Sequence, residues 1–233
     1  MQILVINPNS TASMTAAIAE AARRAAAPGT TIAALNPSHG PAAIQGAEDG
    51  AAALPGLFAL FEREVMQAHS CDAVVIACFD DTGLAALKAR SPVPVLGIGE
   101  AGFLAAMLVA RRFSVVTTLP VSLPVIETNL AAYGWAGRCV RVRASGVPVL
   151  DLEGGRRSVV EAVAAEIGKA VAEDGCGAVV LGCAGMADLA EDMTERFGLP
   201  VIDGVAAAVT FCEALNRAGI DNSPRRPLAA ALP

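Results

Sequence analysis

The sequence predicts an α/β protein of two pseudo-symmetric lobes, each a short parallel sheet flanked by helices, with the active site in the cleft between them. Three observations carry this prediction. Short apolar runs of strand length alternate with longer helical patterns along the chain. The short runs are nearly continuous in Val, Ile, Leu and Ala, as strands covered on both faces require. The chain is also written twice: residues 72–85 (DAVVIACFDDTGLA) match residues 177–190 (GAVVLGCAGMADLA) at an offset of 105, with identical residues at Ala73, Val74, Val75, Cys78, Leu84 and Ala85.

The repeat extends in both directions. VPVLGIGEA at 93–101 matches LPVIDGVAA at 199–207 at an offset of 106, and QILVINPNS at 2–10 matches RFSVVTTLP at 112–120 at an offset of 110. Three blocks in the same order, with small changes of offset, are what loop insertions between conserved elements produce.

Each element follows in order. Residues 2–7 form a first strand, and the alanine-rich stretch 11–27 a helix closed by Pro28-Gly29. Residues 30–35 form a second strand. A helix near 50–69 places Leu57, Leu60, Phe61 and Val65 at helical spacing. A buried strand at 73–77 precedes a helix from about 82 to 90, and a strand at 93–97 precedes a helix at 99–111. The second half repeats this order from Phe113. The segment after Asn222 (SPRRPLAAALP) is proline-rich and reads as loosely held, with no chemistry of its own.

Composition narrows the function. The 233 residues suit one large domain or two small ones. No apolar run reaches the roughly 18 residues of a membrane span, and MQILVINPNS lacks the basic start and long apolar stretch of a signal peptide. The expected location is cytoplasmic, with no membrane partner. The net charge of −6, without a basic cluster, argues against nucleic acid. Six cysteines in such a setting should be reduced thiols. With no CxxC pair, and with His39 and His69 far apart, a zinc site is not expected. Only Lys88 and Lys169 are available for a Schiff base.

Position separates the cysteines. Cys71 and Cys176 precede their strands, whereas Cys78 and Cys183 follow the same two strands, at the carboxyl ends where open α/β sheets bind ligands. Cys71, Cys139, Cys176 and Cys212 read as packing residues. A thiol at a helix N-terminus is expected to have its pKa lowered, so that thiolate forms near neutrality and acts as a base. Two such thiols facing one pocket give stereoinversion without metal or organic cofactor: one takes a proton from one face of a carbon acid, the other returns a proton to the opposite face. The loops after the first strand of each half should line the same mouth. They carry Asn7, Asn9 and Ser10, and Thr117 and Thr118. Asn9 and Ser10 also suit helix capping, and the threonines suit plain strand ends. Asp80 and Asp81 suit capping of the following helix or substrate contact, with capping favoured for Asp81. His39, in the turn-rich 36–46 segment, either reaches over the pocket or faces solvent. Asp151 and Glu153 read as turn and helix-start residues.

At VINPNS (5–10), IACFDDTGL (76–84), GIGEA (97–101), FSVVTTL (113–119), LGCAGMADL (181–189) and PVIDGV (200–205) the chain resembles the aspartate/glutamate racemase superfamily, and within it the hydantoin/allantoin racemase branch. The resemblance implies a cofactor-independent racemase with Cys78 and Cys183 catalytic. It implies substrate contacts from Asn9, Phe79, Asp80, Thr117, Thr118, Ala184 and Gly185, a homo-oligomer, and final helices that pack across onto the opposite lobe. The lobes would comprise residues 1–97 plus 208–233, and 98–207. Amino-acid racemases of the superfamily follow their cysteines with Asn-Thr and Thr-Glu. Phe79-Asp80 and Ala184-Gly185 stand here instead, which favours a neutral ring over a zwitterion. A 5-monosubstituted hydantoin fits, its C5 hydrogen made acidic by the ring carbonyl and Phe79 leaving room for the C5 side chain. Allantoin racemase, a maleate-type two-thiol isomerase and a non-catalytic two-lobed binding protein are the alternatives.

Overall fold

The computed structural model describes residues 1–222. The proline-rich segment at 223–233 lies outside the described residues. Two four-stranded parallel sheets form, each flanked by helices. The first contains β1 (Gln2–Ile6), β2 (Thr31–Leu35), β3 (Ala73–Ile76) and β4 (Val95–Gly97) in the order β2-β1-β3-β4. The second contains β5 (Phe113–Thr117), β6 (Cys139–Ala144), β7 (Ala178–Gly182) and β8 (Val201–Ile202) in the order β6-β5-β7-β8. The order is the same in both, so the repeat read in the sequence is a repeat of topology.

Strand parity sorts the apolar side chains into layers, because successive residues point to opposite faces. Ile3, Val5 and Val75 of the first sheet join Phe113, Val115 and Val180 of the second in one shared core. The alternate residues face outward. Leu4, Ile6, Val74 and Ile76 pack under α2 (Ala47–Phe61), and Val116, Val179 and Leu181 pack under α6 (Arg157–Glu173) and α7 (Ala190–Phe197). Between the sheets, Phe79 meets Phe103 edge-on at 5.3 Å between ring centroids, and Phe103 stacks on Phe113 at 5.8 Å.

The helices that end the two halves exchange sides. α4 (Ile98–Val109) follows β4 yet packs on β5, β7 and β8, while α8 (Gly204–Arg217) follows β8 yet packs on α1 (Ala12–Ala25), β3 and β4. They cross at glycines. A Cβ on Gly204 would lie 2.2 Å from the Ile98 carbonyl oxygen, and one on Gly102 would lie 2.8 Å from Val180. Side chains at either point would force the crossing open.

Element limits differ locally from the reading of the sequence. The helix expected at 50–69 begins at Ala47 and gives way to a π turn over Glu62–Gln67. The helix expected after Cys78 is a short one, α3 (Leu84–Lys88). Gly83 enters it at φ +72°, and Asp81 also holds a left-handed φ of +48°, so the chain turns sharply before any helix can begin. Among the described residues no helix is long and apolar enough to cross a membrane.

Candidate active site

The central strand pairs deliver the site. β1 and β3 end side by side in the first sheet, and β5 and β7 end side by side in the second. Their four carboxyl-terminal loops converge on one pocket of about 400 Å³, counted to the atom surfaces and including its mouth. Cys78 enters it from the first half and Cys183 from the second. Asn9, Phe79, Asp80, Thr117, Thr118 and Ala184 also line it, as expected. Gly185 stands just behind, in the wall of a neighbouring cavity. Phe79 is buried, and its ring also packs edge-on with Phe103 in the shared aromatic core.

The two thiols are held alike. The backbone N–H two residues on approaches each sulfur, from Asp80 for Cys78 and from Gly185 for Cys183. Thr82 adds its hydroxyl, with Oγ1 donating to Cys78 Sγ at 3.4 Å. The threonine side of the pocket is rigid. Thr117 Oγ1 donates to the Gly182 carbonyl at 2.8 Å, and a Cβ on Gly182 would stand 2.6 Å from that of Thr117.

The asparagines brace the turn into α1. Asn9 Oδ1 accepts from Asn7 Nδ2 at 2.8 Å and from the Thr11 amide at 2.9 Å. Asn9 thus serves the helix start while it lines the pocket. Ser10 does not cap; its hydroxyl donates to the carbonyl oxygens of Gly40 and Pro41. His39 is exposed and outside the pocket lining.

The electrostatics overturn the expected lowering of the thiol pKa values. Burial pushes Cys183 up to about 11, partly opposed by the Gly185 N–H and reinforced by the nearby Asp80 carboxylate. Cys78 is pushed up further by the same burial, with Asp80 again adding. No helix N-terminus offsets this at Cys78, since α3 begins only at Leu84. Cys183 precedes a single short 3₁₀ stretch, Ala184–Leu189. Burial thus favours the protonated thiol at both positions.

The two aspartates divide the work differently from expectation. Asp81 does cap a helix, but it is α4 rather than the helix next in sequence. Its carboxylate accepts from the Gly99 amide at 3.0 Å, the Glu100 amide at 2.8 Å and the Tyr133 hydroxyl at 2.8 Å. Burial raises its pKa to about 7. Asp80 has the opposite situation. Its main chain is pinned by Asn129 Nδ2, which donates to its carbonyl at 2.8 Å. Its Oδ2 is buried without a hydrogen-bond partner among the described residues, and burial raises its pKa to about 6.

Six lining residues escaped the reading of the sequence: Met14, Ile44, Ala77, Ser122, Val149 and Gly182. Ile44 was the available signal, a lone branched aliphatic in the turn-rich 36–50 segment. Gln45 beside it accepts from the Val149 amide at 3.1 Å and so ties this loop to the second half.

Comparison with known proteins agrees with this geometry. A family model described as Asp/Glu/Hydantoin racemase matches residues 3–212. The chain is 47% identical over 223 residues to a hydantoin racemase of Rhizobium meliloti, covering 96% of this chain and 92% of that one. It superposes on the allantoin racemase of Klebsiella pneumoniae with a TM-score of 0.92 at 41% identity, covering 100% of this chain and 96% of the other. For the allantoin racemase of Pseudomonas fluorescens the TM-score is 0.89 at 38% identity, with 100% of both chains covered.

Proposed function

This chain belongs to the Asp/Glu/hydantoin racemase family and is an isomerase of that family, and from that premise we propose that it interconverts D- and L-5-monosubstituted hydantoins through Cys78 and Cys183. The observation that carries the reading is the pairing of one thiol from each half at equivalent strand ends of a single pocket, with one unpartnered carboxylate oxygen between the halves.

The chemistry follows from the groups present. The C5–H bond is polarised by the adjacent ring carbonyl. One sulfur, as thiolate, takes the C5 proton; the bonding pair moves into the ring as an enolate. The other sulfur, as thiol, gives its proton to the opposite face of C5. The product is the mirror-image ring, and the two sulfurs have exchanged protonation states, ready for the reverse direction. Burial favours the thiol form at both positions, so one of the two must ionise before the proton transfer begins. The N–H groups of Asp80 and Gly185 then stabilise sulfur charge. Asp80 Oδ2 is an acceptor waiting for a donor, and a ring N–H of a cyclic ureide supplies one.

Allantoin is the second reading, favoured by the close superposition on two allantoin racemases. A dicarboxylate is disfavoured, because no Arg or Lys is among the residues that line the pocket. Exposed apolar side chains at the end of α4, Leu108 and Val109, support a homo-oligomer.

The test is decay of the circular-dichroism signal of L-5-methylhydantoin and of (S)-allantoin, with wild type, Cys78→Ser and Cys183→Ser. Decay on the hydantoin that both variants lose is the expected result. Decay on allantoin alone moves the substrate to the second reading, and activity retained by either serine variant refutes the two-thiol mechanism.

A further inference from the structure

The two sulfurs are held by matching turns but not by matching side chains. After each strand the chain closes the same hydrogen bond, from the Asp81 N–H to the Cys78 carbonyl at 3.0 Å and from the Met186 N–H to the Cys183 carbonyl at 3.0 Å. The next residue is Thr82 in the first half and Ala187 in the second. In the first half the left-handed φ values of Asp81 and Gly83 bend the chain on either side of Thr82. The Asp81 carboxylate anchors that bend to the Gly99 and Glu100 amides. Thr82 is thereby folded back behind Cys78, only 7% exposed, with Oγ1 3.4 Å from Sγ. That sulfur is the hydroxyl's one hydrogen-bond partner among the described residues. Thr82 is not among the residues that line the pocket, so it meets the reaction only through the sulfur.

We propose that Thr82 is a positioning residue for Cys78: its hydroxyl accepts the S–H while Cys78 is a thiol and donates to the sulfur while Cys78 is a thiolate, a support that Cys183 lacks. The inference rests on the two-thiol reading above. A hydroxyl is donor and acceptor at once and turns about its own C–O bond, so the switch needs only that rotation. No proton passes through Thr82; each moves between a sulfur and the reacting carbon. Around Cys78, burial and the Asp80 carboxylate work against the thiolate, as does Cys183 across the pocket. The Thr82 hydroxyl and the Asp80 N–H oppose them, the hydroxyl more strongly. At Cys183 the Gly185 N–H acts alone. Mirror-image substrates have equal free energies, so kcat/KM is the same for both enantiomers whichever thiol is altered. The inequality of the two sulfurs is therefore read on the thiols themselves.

The experiment follows alkylation of Cys78 and Cys183 by iodoacetamide at pH 8, quantified for each cysteine by peptide mass spectrometry at low conversion, in wild type, Thr82→Val and Thr82→Ser. Valine keeps the branched shape and removes the hydroxyl; serine keeps the hydroxyl. Far-UV circular dichroism confirms folding, and Thr82→Ala replaces the valine variant if that one does not fold. Thr82→Val should slow alkylation of Cys78 by about three- to tenfold, the lost thiolate being partly offset by the higher nucleophilicity of a more basic sulfur. Cys183 should keep its rate, and Thr82→Ser should restore that of Cys78. Racemisation of L-5-methylhydantoin should fall in Thr82→Val and recover in Thr82→Ser. An unchanged Cys78 rate in folded Thr82→Val overturns the proposal, as does an equal loss in the serine variant or an equal loss at Cys183. Racemisation by wild type with Cys78 alkylation unmoved leaves the two-thiol reading standing while Thr82 falls. Slowed Cys78 alkylation with no racemisation of the hydantoin or of allantoin by wild type leaves the coupling of Thr82 to Cys78 standing and overturns the two-thiol reading.

Discussion

Replacing Asp81 by Asn should change how stability depends on pH, in a direction the structure dictates. Asp81 is enclosed by the Gly99 and Glu100 amides and the Tyr133 hydroxyl, and its folded pKa is raised from 3.8 to about 7 because burial outweighs those three donors. A raised folded pKa means that the group's contribution is fully present below the unfolded pKa and is lost as pH rises through the folded one. The loss amounts to about 4 kcal/mol between pH 4 and pH 8, from roughly three pKa units at ~1.4 kcal/mol each. Asparagine does not titrate, so relative to wild type Asp81→Asn should gain about 4 kcal/mol over that interval. It starts from a deficit, since its amide N–H₂ faces an amide donor where a carboxyl oxygen stood, a cost of about 1–3 kcal/mol. Relative to wild type the variant should gain about 2–3 kcal/mol between pH 5 and pH 8, and be equal or superior at pH 8. Urea denaturation followed by far-UV circular dichroism at pH 5, 6, 7 and 8 measures this. A stability difference that stays flat to within about 1 kcal/mol across that range would refute the assignment of a buried, reluctantly ionised carboxyl.

Asp80→Asn removes the negative charge that helps hold both thiols protonated, so the rise of kcat/KM with pH should begin at lower pH in the variant. A pH–rate profile checks this, and an unmoved or upward-shifted limb counts against it. Arg143 is buried against Asp174, whose carboxylate it meets at 2.6 and 2.8 Å. It holds the Asp174 pKa below the ordinary carboxylate value, so that contribution is present above the unfolded pKa and is lost as pH falls through the folded one. Arg143→Ala should cost about 3–5 kcal/mol at pH 7 by stranding that charge, and the deficit should narrow in acid; denaturant melts at pH 7 and pH 3 compare the two.

The architecture was legible in the sequence because a duplicated apolar pattern survives when strands are buried on both faces. The DAVVIACF and GAVVLGCA blocks fix two central strands, and the residues after them inherit the pocket. What was not legible depends on the environment of an atom rather than on its residue type. A cysteine after a strand looks the same whether a helix dipole or a low-dielectric wall meets it, and here the wall prevails at both thiols. Asp81 sits at a plausible cap position, but only the three-dimensional turn at φ +48° aims it at α4 instead of α3. Met14 reads as an ordinary core position of an amphipathic helix, and nothing in its spacing shows that two cavities meet there.

The exchange of α4 and α8 bears on how the molecule comes apart. Each half depends for cover on a helix encoded by the other, so neither sheet can shed its partner and remain a sealed unit. A peptide carrying one copy of the repeat would leave a strand layer bare and would be completed only by borrowing the last helix of a second copy. Joining the copies in one chain turns that borrowing into an internal contact through the glycine crossing. Unfolding should therefore proceed as one cooperative event, and any fluctuation that separates Cys78 from Cys183 must first unlock the crossing of Gly102 and Gly204.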